Sequence, residues 1–133
     1  MADSVLIIGG EPDFREKLGS SLTTEAGYEV TSAPNYVSAR MIIENLVPDI
    51  IILDEIHQNG DDSFAVCKHL HDDYGIPVIL LGEDSSDEMW EKVMETEADL
   101  YQIKPFSYPV LVARVKAILR RYKLSASGSK NGL

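Results

Sequence analysis

What most constrains this chain is an alternation. Five short, apolar runs rich in β-branched residues recur along it: Val5–Ile8 (VLII), Tyr28–Thr31 (YEVT), Asp49–Leu53 (DIIIL), Pro77–Leu81 (PVILL) and Leu100–Ile103 (LYQI). Segments with helical spacing separate them. Strand-length runs alternating with amphipathic, helix-length segments predict an α/β domain, a parallel sheet with helices on both faces. The third and fourth runs are almost wholly apolar, as central strands covered on both sides must be. Length agrees, since 133 residues suit one domain and a chain of that size buries roughly two thirds of its unfolded surface.

The intervening segments carry their own stripes and stops. Pro12 suits the first turn of a first helix, in which Phe14, Leu18, Leu22 and Ala26 recur every fourth residue before Gly27 ends it. Ala39, Ile42, Ile43 and Leu46 mark a second helix that Pro48 stops, and Val66, Cys67 and Leu70 mark a third that Gly75 and Pro77 close. The sequence SSDE, Ser85–Glu88, reads as a capping box for a fourth helix with Met89, Val93 and Met94 on its inner face. Ser107 is the expected cap of a fifth, striped by Leu111, Val115, Ile118, Leu119 and Tyr122. From Ser125 the chain turns small, polar and glycine-rich. Residues 1–123 are therefore expected to form the domain, and 124–133 a flexible tail or the start of a linker to an output domain.

Charge narrows the partners. Twenty-two acidic residues against 12 basic give a formal net charge of −10, a field that repels phosphate backbones and anionic membrane surfaces. No nucleic acid and no membrane is expected to bind this domain itself. The lone cysteine, Cys67, excludes an internal disulfide and is expected as a small core residue. His57, His69 and His71 are not spaced as a shared ligand set, and no cysteine–histidine cluster offers zinc spacing. The N-terminal apolar run is too short for a secretory signal, and none approaches bilayer length, so a soluble cytoplasmic protein is expected.

In an open α/β sheet, ligands bind beyond the carboxyl ends of the strands. The residues delivered there are Gly9, Gly10 and Glu11 after the first strand, Asp54 and Glu55 after the third, Gly82 and Glu83 after the fourth, and Lys104 and Pro105 after the fifth. Asp54 and Lys104 should converge. A glycine pair between strand and helix could also cradle a phosphate, but no G-x-G-x-x-G and no lysine followed by serine or threonine accompanies it. Glu11 would repel an anion, so the glycines read as a tight turn.

LIIGGEPD, PDIIILD at Pro48–Asp54, PVILL, ADLYQIKPF at Ala98–Phe106 and LVARVKAILRR at Leu111–Arg121 together resemble the receiver domains of two-component response regulators, over Ser4–Lys123. The resemblance implies a doubly wound, five-stranded parallel sheet of order 2-1-3-4-5, a flavodoxin-like and CheY-like three-layer sandwich. It implies phosphoryl transfer from a histidine kinase to Asp54, with Lys104 pairing the phosphoryl group and Tyr101 changing rotamer on activation. A cis Lys104–Pro105 peptide is implied as well. The domain itself is expected to be no enzyme, and its partners to be a sensor kinase or an output domain.

The remaining positions depart from the family. Gly9 and Gly10, with Glu11 one place late, stand where the family has paired acids that help hold Mg²⁺, and glycine supplies no side-chain oxygen to that hard cation. Gly82 replaces the threonine or serine that bonds the phosphoryl group and signals to Tyr101. The following loop, EIHQNGDDS, lacks the usual leucine-proline-glycine pattern and is about one residue long for the family, which unsettles a metal contact near Ile56. Asp54 and Lys104 balance each other without a metal. The expectation is an atypical receiver working by protein contacts in signal transduction or transcriptional control, with no cofactor and Mg²⁺ doubtful. The alternative is a conventional or residual phosphoacceptor at Asp54 with rearranged ligands, Glu11, Glu55 or Glu83 standing in.

The fifth helix resembles receivers that precede a winged-helix DNA-binding domain of the OmpR/PhoB kind. In those, the face formed by helix four, strand five and helix five pairs two chains. Lys92, Asp99 and Arg114 match charged positions of that face, while Trp90, Leu100 and Val110 are apolar where polar neighbours are usual. A homodimer through this face is expected.

Overall fold

The structure, a computed structural model, describes residues 2–54, 63–96 and 98–131. Its elements run β1 (Ser4–Ile8), α1 (Pro12–Ala26), β2 (Glu29–Ala33), α2 (Tyr36–Asn45), β3 (Ile50–Asp54), α3 (Ser63–Tyr74), β4 (Val78–Gly82), α4 (Asp87–Glu95), β5 (Leu100–Ile103) and α5 (Tyr108–Asn131). All four strand pairings are parallel and the sheet order is β2-β1-β3-β4-β5. The chain thus reverses direction of travel at β1 and β3, and that switch point opens a crevice at their carboxyl ends.

Strand alternation divides the core into two layers. Ile51 and Leu53 face one way with Leu6, Ile8 and Leu80, against Ala39 and Ile43 of α2, Val66, Cys67 and Leu70 of α3 and Val93 of α4. Ile50 and Ile52 face the other way with Val5, Ile7, Ile79 and Leu81, against Leu18 and Leu22 of α1 and the Leu111–Leu119 stripe of α5. The four apolar residues of β3 are fully buried. Each such side chain contributes about 1.5–3 kcal/mol of transfer free energy, which makes β3 the spine of the domain and a rigid support for Asp54 at its end.

Local chemistry explains most boundaries. Gly27 ends α1 at φ 71°, left-handed, its N–H closing on the carbonyls of Leu22 and Thr23. Asn35 caps α2 through Ser38 N–H at 2.9 Å, and the Ser107 hydroxyl accepts from Val110 N–H at the start of α5. The fourth cap differs from expectation. Ser86, one residue beyond Ser85, accepts from Met89 N–H, so no serine–glutamate box forms. Its own N–H is taken by the Asp84 carboxylate, whose pKa that bond lowers.

Two expected stripe members lie outside the core. Leu46 is exposed because α2 stops at Asn45 and Leu46 is extended, off the helical stripe. Met94 is exposed because Met89 and Val93, four apart, define the inner face, and the next residue turns away. The backbone of α5 runs on to Asn131.

Candidate functional site

Asp54 is the last residue of β3 and 1% exposed. Lys104, just past β5, reaches it: Nζ lies 2.6 Å from Asp54 Oδ2, with the lysine side chain 21% exposed. Lys104 follows directly on β5 and is joined to Pro105 by a cis peptide. Its backbone N–H is anchored on the Gly82 carbonyl at 2.8 Å. The expected convergence of acid and lysine is thus present as a buried ion pair.

The glycine pair closes over the same carboxylate. Gly9 and Gly10 adopt φ 87° and 80°, a region that costs an L-residue about 1–2 kcal/mol. A Cβ on Gly9 would stand 3.3 Å from the Asp54 carbonyl oxygen, and one on Gly10 would stand 3.0 Å from both Asp54 Oδ2 and Phe14 Cδ2. Side chains are therefore disfavoured twice, by dihedral and by an approach so close that a neighbour would have to give by a few tenths of an ångström. Gly9 N–H donates to Ala33 O, and the Arg15 guanidinium donates to the carbonyls of Gly9 and Gly10. These carbonyls are consequently engaged by a cation of the chain itself.

Because Gly10 has no side chain, the Phe14 ring leans into the space beside the pair. Lys104 Nζ lies 5.3 Å from its centroid, within reach of a cation–π attraction. Phe14, Phe106 and Tyr108 meet mainly edge-on, with centroids 5.9–6.3 Å apart. Together with Gly10, Asp54 and Lys104 they line a pocket of about 340 Å³.

The other anticipated residues fall as follows. Glu11 occupies the N-cap of α1 without a capping bond and is exposed, as is Glu83. Gly82 is buried at the end of β4, paired with Ile103. Tyr101 is buried, its hydroxyl donating to Asp84 O at 2.9 Å and its ring edge-on to Trp90 at 5.0 Å. Trp90 and Val110 remain 39% and 45% exposed. Lys92 and Arg114 are exposed, and Leu100 is half-buried against the core. Asp99 turns to the fold, accepting from Val78 N–H and from the Tyr122 hydroxyl. Burial and that second bond push the Tyr122 pKa well above its usual value. His69 and His71 pair with neighbouring aspartates on α3. Glu55, Ile56 and His57 lie outside the described residues.

Mg²⁺ demands several oxygen ligands in octahedral array. Among the described residues no group of three or more acids, histidines or cysteines is placed to hold a metal ion. Asp54 is joined by an ammonium, the acid positions are glycines in a left-handed backbone that strains any side chain, and their carbonyls serve Arg15. The donors described here do not fit the metal.

Sequence reasoning missed Arg15, Asp84 and the role of Phe14. Arg15 was findable, since a loop of glycines exposes carbonyls that need a donor and arginine follows within one helical turn.

A doubly wound sheet carrying an aspartate at the end of β3 and a lysine after β5 at its switch point defines a CheY-like signalling domain. The match to the response regulator receiver domain model spans residues 5–116, and the chain belongs to that family. It is the receiver domain of a two-component response regulator, a class that communicates with sensor kinases and output domains. The heme response regulator HssR of Staphylococcus aureus (strain JH9) is 31% identical over 122 residues, 92% of this chain and 54% of that protein. The chain spans about half the length of the curated relatives it matches. A two-component response regulator from Clostridium difficile superimposes with TM-score 0.82 at 32% identity, covering 90% of this chain and 98% of that one. The receiver domain of TorR, from the TMAO respiratory system, gives 0.81 at 28% identity, over 90% and 98%. Among the described residues no helix is long and apolar enough to cross a membrane.

Proposed function

We propose that this domain is an atypical receiver that acts through protein contacts without Mg²⁺-dependent phosphorylation of Asp54. The observation that carries the reading is the collapse of the Gly9–Gly10 turn onto Asp54, where a Cβ on Gly10 would meet Asp54 Oδ2 at 3.0 Å while Lys104 already neutralises that oxygen. A metal would have to displace the lysine and reopen a turn that only glycine adopts without strain. Gly82 offers no hydroxyl to a phosphoryl group, and Tyr101 is held inward by Asp84 and Trp90 independently of any such group. The switch residue thus rests in one place.

A fixed Tyr101 leaves the α4–β5–α5 face in one shape, with Trp90 and Met94 exposed one helical turn apart on α4 and Val110 exposed at the start of α5. That apolar surface, flanked by Lys92 and Arg114, supports a constitutive homodimer that serves an attached output domain or a protein partner. The domain itself is non-enzymatic and leaves nucleic acid to others, in keeping with its charge.

Intact mass after incubation with Mg²⁺ and a small phosphodonor tests the reading. The expected spectrum is unmodified protein; a stoichiometric adduct lost in Asp54→Asn would establish a residual phosphoacceptor instead.

A further inference from the structure

An aromatic hollow lies beside the Asp54–Lys104 pair. Phe14, Phe106 and Tyr108 are each half-buried, packed on the α1–α5 side of the core yet left open toward the mouth of the Asp54–Lys104 pair. The space they frame, about 340 Å³, falls at the lower end of ligand pockets, which are concave, mostly apolar and supplied with a few fixed polar groups. Those polar groups are identifiable. A lysine ammonium carries three donors; one goes to Asp54 at 2.6 Å, and Lys104, 21% exposed, lines the pocket. The contiguous rings form an apolar wall against which a flat molecule could pack, and the ammonium would meet an acceptor on its rim.

Charge selects among flat molecules. Among the described lining residues Asp54 and Lys104 cancel, and Glu11 leaves a net negative charge. An anion would be repelled, and a cation would compete with Lys104 for Asp54. We infer that this pocket binds a small, uncharged, planar aromatic molecule bearing a carbonyl acceptor, packed against the wall of rings with its oxygen on Lys104. This rests on the reading that the site takes no phosphoryl group. The pocket lies where Lys104 and Phe106 follow β5, and β5 also carries Tyr101, so an occupant would act on the strand that shapes the α4–β5–α5 face.

The probe is prodan, an uncharged naphthyl ketone whose emission brightens and shifts to the blue in apolar surroundings, titrated into the full chain while amide NMR shifts are followed. Saturable one-site binding is expected, with shifts centred on Gly10, Lys104 and Phe106. Phe106→Ala should weaken it at least about ten-fold, Phe106→Leu, which keeps apolar volume, should weaken it less, and Val37→Ser on the exposed face of α2 should leave it unchanged. A naphthalene sulfonate should bind at least about ten-fold more weakly than prodan. Absence of saturable binding, equal binding of the sulfonate, or shifts centred on Trp90 would overturn the inference. Mass spectrometry with Mg²⁺ and a phosphodonor separates the two levels. No adduct and no prodan binding sinks this inference alone, whereas an Asp54 adduct that abolishes prodan binding sinks the functional reading beneath it.

Discussion

Removing either member of the Asp54–Lys104 pair has unequal consequences that follow from their burial. Lys104→Met leaves a carboxylate that is 1% exposed without the ammonium now 2.6 Å away, and breaking a buried pair in this way costs about 3–5 kcal/mol. Asp54→Asn keeps an acceptor, and the lysine, already 21% exposed, can swing toward water. That loss is nearer about 1–2 kcal/mol, the difference between a charge-assisted and a neutral hydrogen bond. An unfolding entropy of about 2.1 cal/mol/K per residue over 133 residues converts each kcal/mol to about 3.6 °C. Thermal unfolding by circular dichroism should therefore fall by about 11–18 °C for Lys104→Met and about 4–7 °C for Asp54→Asn. The double variant, free of both charges, should sit above Lys104→Met, giving a coupling of about 1–3 kcal/mol. If Asp54→Asn raises the melting temperature, the site is one of crowded acids awaiting a cation, and the charge-balanced account is wrong.

Restoring acids should fail to restore the metal: Gly9→Asp with Gly10→Asp is expected to cost about 2–4 kcal/mol from two left-handed L-residues, and calorimetry should show no gain in Mg²⁺ affinity. A stable double variant that binds Mg²⁺ would refute the committed turn. Tyr122 makes stability fall in alkali. Its folded pKa is raised above 10.0, so above that pH the unfolded chain loses a proton that the folded one keeps, and stability declines as pH rises. Tyr122→Phe should be less stable at neutral pH through loss of the Asp99 bond, yet show a shallower alkaline decline, with Tyr28 and Tyr36 supplying the remaining slope. Sedimentation at tens of micromolar should give a dimer for the native chain and a monomer for Trp90→Lys; a native monomer would remove the proposed interface.

The fold was legible because its signals are periodic. Wholly apolar runs at Ile50–Leu53 and Val78–Leu81 can only be central parallel strands, and Gly27 and Pro12 mark helix ends by backbone chemistry alone. The convergence of Asp54 and Lys104 followed from topology. What could not be read was geometry finer than one residue. Ser85 and Ser86 are equivalent caps on paper, and the choice fell to the turn that Asp84 makes with Ser86 N–H. Asp99 looked like a surface charge because sequence does not reveal that Val78 N–H and the Tyr122 hydroxyl converge on it from 21 and 23 residues away. Phe14 read as an ordinary stripe residue, and only its 3.0 Å approach to the Gly10 Cβ position gives it a second role.

That approach links the substitutions into one physical change. With carboxylates at the Gly9 and Gly10 positions, an aromatic ring beside Asp54 would strip water from several like charges at once, at a cost no packing gain offsets. With glycines, a single carboxylate remains, Lys104 neutralises it, and desolvation by Phe14 strengthens the pair that it covers. The glycines, the aromatic wall and the ion pair therefore support one another. The absence of a hydroxyl at Gly82 accords with the proposed reading, under which no phosphoryl group is there to be bonded, and the Tyr101 hydroxyl donates to the Asp84 carbonyl. Placing the family's residue at Gly9, Gly10 or Gly82 alone should destabilise the site without creating a metal or phosphoryl site.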